Sequence, residues 1–390
     1  MAPEHALGET RVLDLSALLP GPYCSRILAD FGAEVIKIER PGGGDRTRSV
    51  PPVRDGESLL FRLLNHGKKS ITLDLKSREG REAFLRLVGA ADVLLESFRP
   101  GVMERLGLGD GSLRGANPRL IHCALSGYGQ AGPYRGRAGH DLNYVGLSGL
   151  LVLTGQEEEM PVLLGAPVAD LAGGLWAAIG ILLALHARGL DGAGRRVDTS
   201  LLGAAVSCLP VALAGLMGKE PVRRGVGALT GGLACYHVYR CKDDGFITLA
   251  ALEPEFWAAF CRAVEREDLL GGQYAPAVTG EPTFDSLRAL FETRTRQEWT
   301  TYLSGVDCCS EPVYTIEEAL SSPPVMALGM IRGASLLPPV DVSTLAAPAG
   351  PSADTVGRAP QLGEHTDAIL QDVCGYTPEE VQELREKGVV

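Results

Sequence analysis

The first 125 residues alternate between short apolar runs and helix-like stretches, and this alternation restricts the fold more than any other feature of the chain. The runs at 11–15 (RVLDL), 34–39 (EVIKIE), 70–75 (SITLDL), 92–96 (DVLLE) and 120–125 (LIHCAL) have the length and apolar content of strands. Between them, Pro20-Gly21-Pro22 opens a helical stretch to about Phe31, and a second runs from Ser77 to about Ala90. Parallel neighbours in a sheet need a crossover of a dozen or more residues, which is usually a helix. The pattern therefore predicts an α/β fold built on an open parallel sheet.

From Gly139 the pattern turns helical, with apolar faces at 141–150, 170–187 and 200–217 and a short strand at 196–198. A Gly-rich break at 225–232 follows. Two strands at 235–240 and 246–250 then pair around the turn Lys242-Asp243-Asp244-Gly245, and a helical region runs from Pro254 to about Tyr302. A chain of 390 residues accommodates two or three domains. We read 1–224 as the N-terminal part of a large domain and 231–325 as a small one. Residues 326–390 form a linker and a C-terminal return to the large domain. Within that return, 336–360 is rich in Pro, Ala and Ser and reads as an extended connection, and Thr377 caps a last helix with Pro378 at its first position.

The net charge of −11 argues against a nucleic-acid binder, which would carry a basic face. A local basic concentration exists all the same: Arg40, Arg46, Arg48, Arg54, Arg62, Lys68, Lys69 and Lys76. Its plain reading is a solvated charged surface. The nine cysteines lack a CxxC pair, so neither a disulfide framework nor a zinc site is expected, and free thiols fit a reducing cytoplasm. The N-terminal segment has no basic stretch followed by an apolar run, and the apolar stretches 171–185 and 203–218 fall short of the ~20 residues that span a bilayer. No membrane association is expected, and the C-terminal Lys387-Gly388-Val389-Val390 is not a peroxisomal signal.

Three places carry candidate chemistry. His140 precedes a helix that Asp141 can cap. Asp170 reads as the cap of the helix after it, whose first turn contains Gly173 and Gly174; each costs roughly 1 kcal/mol against alanine. Close approach of a ligand or of another backbone would offset that cost. Glu253 ends an apolar strand, with Pro254 and Glu255 behind it as an ordinary helix start. Gly42-Gly43-Gly44-Asp45 has neither phosphate-loop spacing nor GxGxxG and reads as a turn.

At these residues the chain resembles the family III CoA-transferases, and within them the racemase branch. The resemblance rests on RVLDLSALLPGPYCSRILADFGAEVIKIERPGGGD, LNHGKKSITLDLKS, ADVLLESFRPGVMERLGL, LSGYGQAGPYRGRAGHDLNY, GAPVADLAGG, GRRVDTSLL and GRAPQLGEHTDAIL, in the family's order and across nearly the whole chain. It implies a large Rossmann-like domain built from both chain ends, a small inserted α+β domain, and a homodimer of interlocked rings. It also implies an acyl-CoA substrate, no further cofactor and no metal. Asp170 matches the aspartate that serves as nucleophile in the transferases. His140 in GHDLNY and Glu253 in LEPEF match residues of the racemase branch.

The expected activity is thus inversion of the α-carbon of 2-methyl-branched acyl-CoA thioesters, with His140 and Asp170 as acid/base pair and Glu253 orienting the imidazole. The alternative is CoA transfer between carboxylic acids through Asp170; a CoA-binding protein without catalysis is a third reading. The backbone N–H groups that open the Asp170 helix are expected to meet the enolate oxygen. By the same resemblance Arg40 and Arg99 would bind CoA phosphates, with Lys76 and Arg105 as further candidates. Leu147, Leu150, Leu216 and Met217 read as ordinary core residues.

Overall fold

The computed structural model describes residues 5–332, 335–340, 342 and 358–390. The chain divides into two compact units, one made of Met1–Ser148, Ala166–Cys208 and Ala327–Val390, the other of Gly149–Gly165 and Leu209–Met326. The sequence reading placed 1–224 in the large domain and opened the small one at 231. The boundary differs because 149–165 and 209–224 belong with the second unit. Its apolar helix Pro210–Met217 is also separate from Leu201–Ser207, as Pro210 cannot continue the preceding helix.

In the first unit six parallel strands lie in the order Lys69–Thr72, Glu34–Glu39, Arg11–Asp14, Val93–Glu96, Ile121–Ser126, Arg195–Ser200. Arg11–Asp14 is central, with Val12 opposite Val35 on one side and Val93 on the other. Helices cover both faces, so the inner strands are mostly apolar: Val12, Leu13, Val35, Ile36, Val93, Leu94, Leu95 and Ile121 are all buried, with Asp14, Lys37 and Glu96 as buried charged residues among them. The chain moves outward from the first strand in one direction, then returns to continue in the other. Such a sheet opens a crevice beyond the carboxyl ends of the two strands where the direction reverses, here Arg11–Asp14 and Val93–Glu96.

The C-terminal residues close the outer edge. Thr72 N–H donates to Thr366 Oγ1 at 3.0 Å, His365 N–H to the Ser70 carbonyl at 2.8 Å, and Asp74 N–H to the Val389 carbonyl at 2.7 Å. This occupies an edge strand that would otherwise present free backbone groups. Thr377 caps the helix Pro378–Glu386 in a box with Glu380, at the position read from the sequence. Of the expected connection at 336–360, residues 341 and 343–357 lie outside the described residues.

The second unit is organised around a three-stranded antiparallel sheet in which Phe246–Ala250 is flanked by Tyr236–Arg240 and Ser310–Val313. Its core is aromatic: Tyr239, Trp257, Phe260, Phe291 and Trp299 are fully buried and pack ring on ring.

The longest helix, Val168–Asp191, has 24 residues, longer than the stretch read from sequence and long and apolar enough to cross a bilayer. One side is nevertheless part of the first unit's core, with Ala177, Ala178, Ile181 and Ala184 buried. A methyl group on Gly174 would stand 2.7 Å from the Pro20 carbonyl oxygen and 3.0 Å from the Tyr23 ring. Gly173 and Gly174, in its second turn, are therefore explained by close approach to Leu201 and to the helix Pro20–Asp30.

Candidate active site

The switch-point crevice is built by the loops that follow the strands. Leu15, Ser16 and Ala17 follow the first strand, and Arg40, Gly44 and Asp45 the second. Leu73 to Lys76 follow the third, and Phe98, Val102 and Leu106 the fourth; all line a cleft of about 330 Å³. Buried charges fix these loops. Lys37 Nζ, within the second strand and wholly buried, lies 2.9 Å from Asp45 Oδ2 and donates to the Ser16 carbonyl at 2.9 Å, so one ammonium ties two cleft loops together. Asp45 in turn accepts from Thr47 N–H at 2.9 Å and from Leu18 N–H at 3.3 Å. Leu18 sits at φ 67°, a conformation that costs energy for a branched side chain.

Deeper in, Asp14 is wholly buried with Lys68, whose Nζ reaches Asp14 Oδ2 at 3.3 Å, Ser25 Oγ at 2.8 Å, Asn65 Oδ1 at 2.9 Å and the Pro22 carbonyl at 3.0 Å. Burial alone would push the Asp14 carboxyl up, but the charges of Lys68 and Lys37 and two serine hydroxyls hold it down at about 2. Burial lowers Lys68 to about 8, against the pull of Asp14, and both groups stay charged at neutral pH.

The basic concentration seen in the sequence is thus not one solvated surface. Lys68 is core, Arg48 pairs with Glu39 at 2.6 Å and lies 4.0 Å over the Phe61 ring, and Lys69 pairs with Glu34 at 2.5 Å. By contrast, Arg40, Lys76, Arg99 and Arg105 are exposed, and among the described residues none of the four is in an ion pair. Arg40 and Lys76 line the cleft, and Arg99 and Arg105 flank the lining residues Phe98, Val102 and Leu106. A methyl on Gly43 would meet the Arg40 guanidinium at 2.8 Å, so the glycine turn lets this side chain fold back over the loop.

His140 and Asp170 both belong to the first unit and open two helices. His140 is exposed, immediately before the helix Asp141–Ser148, and its N–H donates to Asn143 Oδ1 at 3.0 Å. Asp170 is half-buried in the first turn of Val168–Asp191; it is not the cap, because the helix starts two residues earlier with Pro167 in the capping position. Nor does Asp141 cap its own helix. Its Oδ1 accepts the N–H groups of Ala169 at 2.7 Å and Asp170 at 3.1 Å, capping the other helix from 28 residues away. Burial raises the Asp170 carboxyl to about 6, the neighbouring Asp141 adds to the rise, and His140 opposes it. The Leu171 N–H is taken as well, by the Pro167 carbonyl. At the start of the Asp170 helix the N–H groups of Ala169, Asp170 and Leu171 are thus taken and that of Val168 has no acceptor among the described residues; nor, among them, do the Asp141 and Leu142 N–H groups beside His140.

Glu253 belongs to the second unit, exposed at the start of the helix Pro254–Ala263, and its carboxylate makes no hydrogen bond among the described residues. Leu147, Leu216 and Met217, read as core, are exposed instead. The cleft residues Ser16, Asp45 and Phe98 escaped the sequence reading. Their signal was positional, each lying just beyond a strand's carboxyl end.

The sequence model of CoA-transferase family III matches residues 7–366 of the chain. An alpha-methylacyl-CoA racemase of Mus musculus is 37% identical over 386 residues, which cover 97% of this chain and 96% of that protein. A succinyl-CoA:mesaconate CoA-transferase of Haloarcula marismortui is 35% identical over 390 residues, 94% of this chain and 96% of the other. Among solved structures, a CAIB/BAIF family protein from Brucella suis is similar with a TM-score of 0.81 and 31% identity, over 95% of this chain and 99% of that one.

Proposed function

The chain belongs to CoA-transferase family III, an enzyme group with racemase and transferase members, and from that premise we propose that it inverts the α-carbon of 2-methyl-branched acyl-CoA thioesters. The observation that carries this reading is a half-buried Asp170 whose carboxyl burial raises to about 6, with His140 near enough to oppose the rise. An ordinary aspartate near 3.8 is almost wholly ionised at pH 7, and the raised Asp170 carboxyl holds its proton much more readily.

Inversion needs that proton. One group removes the α-hydrogen from one face of the carbon, and the other delivers a proton to the opposite face of the enolate. In one direction Asp170 is the base and the His140 imidazolium the acid; in the reverse direction the roles exchange. The pair thus carries one proton in either direction. A carboxyl raised to about 6 can both hold and release a proton near neutral pH, which each direction of inversion asks of Asp170. The free N–H groups opening the Asp141–Ser148 helix supply donors for the enolate oxygen. Glu253 is carried, on the LEPEF pattern, as the carboxylate that orients the His140 ring. Arg40, Lys76, Arg99 and Arg105 serve the CoA phosphates, for which guanidinium is well suited.

The reading includes a homodimer. On Val168–Asp191 the side chains of Leu175, Trp176, Ile179, Leu182 and Leu183 are 42–65% exposed along one face. Such a stripe is larger than monomers usually leave in water, and a second copy is the proposed cover.

Transfer of CoA through an acyl–Asp170 anhydride is the second reading, favoured by the comparable identity to a transferase. A raised carboxyl is a better base and a better nucleophile alike, so Asp170 serves both; His140 separates them. His140→Ala is expected to lower α-epimerisation by about 100-fold or more, with no acyl group trapped on Asp170 by hydroxylamine. Retained turnover in this variant together with a trapped Asp170 adduct would establish transfer instead.

A further inference from the structure

His140 and Asp141 are adjacent in sequence, and the Asp141 carboxylate is bonded to the backbone of Asp170. The hydrogen bonds join the starts of two helices, so the separation of the two acid/base groups is set through one side chain. The Asp141–Ser148 helix does not use this carboxylate for itself; Asn143 receives the His140 N–H instead. A cap needs no charge here, since Ser, Thr and Asn serve as well. Placing an anion beside a second carboxylate is what an uncharged cap would avoid, and its electrostatic consequence is the retention of a proton on Asp170.

We propose that Asp141 is the positioning residue of the acid/base pair: it clamps the start of the Asp170 helix to His140 and holds a negative charge beside Asp170. This rests on the racemase reading above. The groups that act on Asp170 are Asp141, which raises its carboxyl beyond what burial does, and His140, which lowers it. Tyr144, one turn along from His140, adjoins the same cluster; burial raises its hydroxyl to about 12, with Tyr128, Asp170 and Asp141 adding to the rise and Arg99 opposing it.

The test separates clamp from charge. Asp141→Asn keeps an oxygen that can accept both N–H groups and removes the charge; Asp141→Ala removes both. Asp170 is followed in the full chain by carboxyl ¹³C titration with labelled aspartate, assigned by Asp170→Asn. The pH profile of α-proton exchange on a 2-methylacyl-CoA is recorded in parallel. In Asp141→Asn the Asp170 titration is expected to fall by on the order of one pH unit, and the matching limb of the kcat profile to move with it, while KM stays within about twofold. In Asp141→Ala kcat is expected to fall at least tenfold below Asp141→Asn at equal fraction folded. Titration curves of wild type and Asp141→Asn that superimpose would overturn the charge role, and equal kcat in the two variants would overturn the clamp. If the titration moves but wild type exchanges no α-proton, the influence of Asp141 on Asp170 stands and the racemase reading fails.

Discussion

Gly174→Ala tests how the Asp170 helix is seated. Alanine is the better helix former by about 1 kcal/mol, and on propensity alone the variant would be more stable. The added methyl, however, would stand 2.7 Å from the Pro20 carbonyl oxygen and 3.0 Å from Tyr23 Cδ1. A carbonyl within the start of a helix cannot rotate away like the tip of a side chain, so the helices must part by several tenths of an ångström. Overpacking of this kind costs about 1–3 kcal/mol, and after the propensity gain of about 1 kcal/mol the net expectation is a loss of up to about 2 kcal/mol. Gly189, in the same helix, has open space where its methyl would go, so Gly189→Ala is expected to stabilise by about 0.5–1 kcal/mol. Urea unfolding of the two variants beside wild type measures both signs. Gly174 lies one turn after Asp170, and a displaced helix start moves that carboxylate; turnover of Gly174→Ala is expected to drop about tenfold or more. If Gly174→Ala stabilises as Gly189→Ala does, the close seating of the helix on Pro20–Asp30 is wrong.

Lys68→Met removes the counter-charge of a wholly buried carboxylate, and leaving Asp14 unpaired is expected to cost about 3–5 kcal/mol in chemical denaturation; a change below about 1 kcal/mol would show that water reaches Asp14. Arg40→Ala and Arg99→Ala are each expected to raise KM for an acyl-CoA by about tenfold or more with kcat nearly constant, the size of a lost charge-assisted hydrogen bond. The same steady-state measurements with an acyl-pantetheine ester, which has no nucleotide phosphates, should show no such difference between variants and wild type.

The sheet was legible because strands buried on both faces are dominated by apolar residues, even where a buried charge such as Lys37 interrupts them. EVIKIE forms a strand with the bounds read from the sequence, and RVLD and VLLE do so within a residue or two. The strand Ser310–Val313 was not legible: polar residues and Pro312 disguise it, and it is an edge strand, where proline is tolerated. The candidate site divides in the same way. His140, Asp170 and Glu253 stood out by residue type, helix boundary and family pattern. The capping arrangement did not, because Asp170 looks like a local N-cap while the real cap comes from Asp141, far away along the chain. Long-range hydrogen bonds leave no periodicity to read. Nor does sequence distinguish Lys68, buried against Asp14, from Lys76 on the rim of the cleft; both are lysines shortly after an apolar segment.

In the proposed reaction His140 and Asp170 exchange a proton with the α-carbon from opposite faces. Incubation of one epimer of a 2-methylacyl-CoA in deuterated water, followed by mass spectrometry and chiral analysis, tests it most directly. One deuterium is expected to enter at the α-carbon and both epimers to form, approaching equal amounts. Recovery of the starting epimer without α-deuterium, under conditions where the thioester binds, would contradict it.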